Sequence, residues 1–131
     1  MKRKRILSLV LATAFIISSS AVVLASSSET GAINGVNVTG SVHAYSSSGT
    51  ATTYMEVYTP SVRVSVDGEY RSFNLSTGDA NDWQYASNSG DSSASVFFQA
   101  PPNSQTSIVK GHHHATNGNQ TWVADTEKNY P

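Results

Sequence analysis

The chain has 131 residues, no cysteine and a formal net charge of −1. Four of its eight basic residues (Lys2, Arg3, Lys4, Arg5) lie in the first five positions, whereas all nine acidic residues lie beyond position 25. Residues 26–131 therefore carry 4 − 9 = −5, which excludes the basic footprint needed for nucleic-acid binding and the cationic mode of membrane attack.

The N-terminus has the layout of an export signal. A basic "MKRKR" precedes the apolar run Ile6 to Ile17, a polar "SSS" follows, and Val23 and Ala25 sit at the minus-three and minus-one positions of a small-residue cleavage site. The sequence thus predicts a signal peptide over 1–25, cut after Ala25. Ser18 to Ser20 interrupt the apolar stretch, and a spanning helix wants about 20 continuous apolar residues, so no stable membrane anchor is expected. The product is expected to be secreted and extracellular. A cysteine-free exported chain with a short basic signal fits a Gram-positive bacterial source. The 106 residues left after the cut suffice for one domain with one core, stabilised by apolar packing and strand pairing without disulfides.

After the signal, residues 26–32 are small and polar and read as a flexible leader. A single domain is expected over 33–131. Period-two alternation dominates from there. Val36, Val38, Val42 and Ala44 alternate with polar residues, and "TTYMEVYT" (52–59) has strand composition. In "SVRVSVDGEYRSFNL", Asp67-Gly68 reads as a type I′ turn. It would put Val62, Val64, Phe73 and Leu75 on one face and Arg63, Ser65, Tyr70 and Ser72 on the other. Residues 76–92 read as a long polar loop or as cover for a short strand at "DWQYAS". Residues 94–100 form a strand that "PPN" ends. Residues 104–116 form the next, "NGN" turns, and "QTWVADT" returns. Turns about every ten residues point to an all-β fold, a small antiparallel β-sandwich or barrel of six to eight strands.

Three histidines stand together in "KGHHHATNGNQTW". On a strand His112 and His114 share one face, about 6.6 Å apart, while His113 takes the other. Two imidazoles at that spacing suit a metal ion. His43 is the natural third ligand if the similar hairpins at 42–54 and 113–122 pair, with Asp125 or Asp91 as further donors. The competing expectation is polar decoration of a strand, and no cofactor is assigned. Asp79, Asn81, Asp82 and Asp91 are hard oxygen donors, but they lack the glycine and glutamate of an EF-hand loop. Gly-X-Ser-X-Gly and His-Glu-X-X-His are both absent, so no enzyme is expected.

Tyr54, Tyr58, Trp83, Tyr85 and Trp122 lie in polar contexts and are the candidate ligand-binding residues, since exposed rings stack on sugars or seat protein partners. The leading expectation is a secreted, non-enzymatic binding module for an extracellular ligand, a cell-surface glycan or protein. Small size, an export signal, a β-rich chain and clustered histidines are also similar to the lactococcin-type secreted bacteriocins, from which the acidic mature charge departs. That resemblance implies a secreted antibacterial effector as an alternative. A histidine-based metal-binding protein is the other.

Overall fold

The computed structural model describes residues 27–131, and the expected signal segment, 1–25, lies outside them. None of the described residues is helical. Eight strands run in chain order: β1 (Ser28–Ile33), β2 (Val36–Ala44), β3 (Ser48–Met55), β4 (Arg63–Asn74), β5 (Gln84–Gly90), β6 (Ser93–Gln99), β7 (Ser104–Thr116) and β8 (Thr121–Asn129). They form two antiparallel four-stranded sheets, β1-β2-β3-β6 and β5-β4-β7-β8. The sheets face each other across one core and do not close into a barrel.

Local sequence explains most of these elements. Asn34-Gly35 joins β1 to β2 with φ of 51° and 79°, the left-handed pair that a two-residue type I′ hairpin requires. Residues expected to be a flexible leader therefore form β1, paired from Ser28↔Ser41 to Ile33↔Val36. The period of two is weak there, because Ser, Thr, Gly and Ala supply little apolar contrast. The strand expected at 52–59 begins earlier, at Ser48, and stops at Met55. Beyond it the chain leaves the first sheet to reach β4 in the second. The polar stretch 76–92 does conceal a strand, β5, on the outer edge of the second sheet. "PPN" separates β6 from β7, and Asn117-Gly118 turns β7 into β8 with Gly118 at φ 94°.

The turn expected at Asp67-Gly68 does not exist. β4 runs straight through it, and Gly68 lies opposite Gly111 of β7 and Ala86 of β5. The apolar phase stays on even positions: Val62, Val64, Val66, Gly68, Tyr70 and Ser72 face inward. A hairpin would have brought Glu69 and Arg71 onto the buried face in return for Phe73 and Leu75, and burying unpaired charge is the larger cost. Leu75 is instead exposed. Gly68 is small because the other sheet sits on it: a Cβ there would fall 2.6 Å from Val96 and 2.9 Å from Phe98. One residue pair along, Tyr70 stacks on Phe98 with centroids 5.4 Å apart. Its buried hydroxyl bonds the Thr106 hydroxyl at 2.8 Å.

Candidate functional site

The long strands β4 and β7 lie at the centre of the second sheet, so their outward residues define its exposed face. Register sets the rows across β5, β4, β7 and β8. Tyr85, Glu69, Lys110 and Glu127 form one row, Ser87, Asp67, His112 and Asp125 the next, and Ser89, Ser65, His114 and Val123 the third. Trp83, just before β5, lies beneath two cations, 5.4 Å from Arg71 and 5.3 Å from Lys110 by ring centroid. Tyr85 is 70% exposed. Alternation along β5 places both rings on the same outer surface as Lys110 and His112.

His112 is fixed at both nitrogens. Nδ1 meets the Asp125 carboxylate, and Nε2 lies 3.2 Å from Glu69 Oε2. The hydrogen bond to Asp125 raises its pKa to about 9 against the opposing effect of burial, with the charges of Asp125 and Glu69 adding to the rise. At neutral pH His112 is thus an imidazolium, donating on both sides and lacking the lone pair that a metal ligand needs. Asp67, beside it, accepts from the Ser87 hydroxyl at 2.6 Å. The result is a surface of fixed donors and acceptors next to an exposed ring.

The expected metal set does not assemble. His43 lies on β2, exposed on the outer face of the first sheet, so both sheets separate it from His112 and His114. The two similar hairpins belong to different sheets and do not pair. Asp91 pairs with Arg63 at 3.0 Å. Among the described residues no group of three or more His, Asp or Glu side chains is placed to hold a metal ion. Asn81 is likewise committed, its amide donating to the Ser72 and Ser104 hydroxyls.

The five candidate aromatics separate. Trp83 and Tyr85 come together on the charged face. Tyr54 projects from the first sheet, and Tyr58 is exposed in the β3–β4 connection. Trp122 packs against the core, where a Cβ on Gly31 would run into its ring, so it is a structural side chain. The two outer faces differ sharply. The outward strand positions of the first sheet hold serine, threonine and a few rings, with hydroxyl pairs such as Thr30–Thr39 at 3.0 Å and Thr52–Ser95 at 2.9 Å. None of them is Asp, Glu, Lys or Arg.

No family model, curated protein or solved structure matches this chain. The sequence pointed to Trp83, Tyr85 and His112 one at a time. It missed Glu69, Arg71 and Lys110 as their neighbours, because the false turn at Asp67-Gly68 disconnected β4 from β7.

Proposed function

We propose that this protein is a secreted, non-enzymatic binding module whose ligand docks on the outer face of the β5-β4-β7-β8 sheet. The observation that carries this reading is one patch in which the Tyr85 ring lies open beside Glu69, Lys110 and Trp83. A ring face for stacking, with acceptors and donors of both signs at its rim, is the chemistry that recognises a polyhydroxylated ligand. A cell-surface glycan fits it best. The His112 nitrogens are already occupied by carboxylates, which favours a recognition role over proton transfer. Export rests on the signal-like residues 1–25.

The test is binding of residues 26–131 to purified cell-wall polysaccharide, followed by the fluorescence of Trp83. Tyr85→Ala should weaken binding about 5- to 10-fold, the equivalent of losing one stacked ring at roughly 1–1.4 kcal/mol. Undiminished binding by a Trp83→Ala/Tyr85→Ala double variant would place the ligand elsewhere.

A further inference from the structure

His113 points the opposite way from His112, into the space between the sheets, and is 2% exposed. Two glycines make room for it. A Cβ on Gly40 of β2 would collide with the ring, and one on Gly111 would fall 2.7 Å from Nε2. Nδ1 lies 2.7 Å from the Thr53 hydroxyl on β3, and Nε2 lies 2.7 Å from the Thr126 hydroxyl on β8.

Hydroxyl stoichiometry assigns the protons. Thr53 Oγ1 also donates its single hydrogen to the Ser65 carbonyl on β4, at 2.9 Å. Toward His113 it can then only accept, so Nδ1 carries the ring hydrogen. Nε2 is left with its lone pair, and Thr126 donates to it. One directed chain results: Thr126 to His113, His113 to Thr53, Thr53 to the Ser65 carbonyl. It leaves the second sheet, enters the first at β3, and returns to the second at β4.

We propose that His113 is an acid-released latch between the two sheets, held as the Nδ1–H tautomer by this one-way chain and broken when Nε2 takes a second proton. A proton on Nε2 would face the Thr126 oxygen, and the Thr126 hydrogen would then need an acceptor inside a nearly water-free core. The inward faces of β2, β3 and β4 around the ring bring no charged group to it, while Glu29 of β1, paired with Gly40 and its carboxyl pushed up by burial, and Lys128 of β8, two residues past Thr126, lie on the inward side. The charges that shift the ring are on the outer side: Asp125 and the His112 imidazolium. Burial pushes the His113 pKa down to about 3, the Asp125 charge opposes that, and the His112 charge adds to it. The latch is independent of where a ligand docks.

Nitrogen-resolved imidazole spectra of residues 26–131 at pH 7 test it directly. His113 should show a protonated Nδ1 and an unprotonated Nε2. On acidification, sheet separation, read from the near-ultraviolet circular dichroism of Tyr70 and Trp122, should coincide with uptake of one proton by His113. The transition should fall between pH 6.5 and about 3. His113→Gln retains an N–H donor for Thr53 and offers a carbonyl acceptor to Thr126 but does not titrate there, so its acid midpoint should drop by about one pH unit or more. An Nε2–H ring, an imidazolium at pH 6 within intact sheets, or a Gln variant with the parent midpoint would each overturn the proposal. The spectra of the parent protein decide the tautomer whether or not the variant folds.

Discussion

Gly68→Ala separates a strand glycine pressed by the opposite sheet from a turn glycine held at positive φ. The new methyl would lie 2.6 Å from Val96 Cγ2 and 2.9–3.0 Å from the Phe98 ring. Overpacking of this kind costs about 1–3 kcal/mol, while replacing a strand glycine by alanine returns about 0.5–1 kcal/mol. The net expectation is a loss of about 1–2 kcal/mol in urea melts, without a change in slope. Val96→Ala removes the group that the methyl strikes, and alone it leaves a small cavity. In the double variant the two volumes compensate, so its loss should fall short of the sum of the singles by about 1 kcal/mol or more. Gly35 is the control. Its φ is 79° and nothing lies within 4 Å of a Cβ there, so Gly35→Ala should cost about 1 kcal/mol through backbone strain alone, and Val96→Ala should not relieve it. Strict additivity between positions 68 and 96 would refute the packing argument and reopen a turn at Asp67-Gly68.

His112 stabilises the fold when charged. Its pKa in the fold, about 9, lies above the ordinary 6.5, so its contribution is complete below pH 6.5 and disappears as pH rises through 9. Because the side chain is 52% exposed, solvent screening holds that contribution to about 1 kcal/mol. Melts from pH 6 to 10 should show a shallow alkaline decline that His112→Asn removes. Gly40→Ala should destabilise more than Gly68→Ala, because its methyl strikes the His113 ring, which both sheets grip; equal melts would show a ring free to move. Arg63→Ala should change stability by less than about 0.5 kcal/mol, since the Arg63–Asp91 pair is more than half exposed on both sides. Intact-mass measurement of the exported protein should give a chain starting at Ser26, and retained residues 1–25 would contradict the signal reading.

How far the sequence could be read depended on contrast between neighbouring side chains. β6 was legible because Ala94, Val96 and Phe98 alternate and proline ends it, and β7 because it is bounded by "PPN" and the Asn117-Gly118 turn. The two faces of "HHH" followed from strand geometry alone. β1 was illegible because Thr30, Gly31 and Ala32 give no amphipathic signal, although Asn34-Gly35 marked its hairpin. Two X-Gly dipeptides with the same local chemistry met opposite fates, Asn34-Gly35 turning and Asp67-Gly68 running straight. What decided between them was a non-local demand, the space required by Val96 and Phe98 from the other sheet. The charged patch needed the β4–β7 register, which no short stretch encodes. The burial of His113 likewise depended on distant Gly40, which clears its space, and Thr53, which hydrogen-bonds its Nδ1.

The early start of β1 bears on the order of maturation. A cut after Ala25 would leave Ser26 as the new terminus, and the Ser27 carbonyl already accepts the Val42 amide at 3.0 Å. A processing peptidase needs an extended, accessible segment on both sides of its bond, and pairing that begins at Ser27 would compete for that segment. On the signal reading, cleavage would precede the docking of β1. The first sheet would emerge from the exporter three-stranded, with the edge of β2 open, and gain its last strand only after release. The tight Asn34-Gly35 turn makes that final step a local closure that needs no search through the rest of the chain.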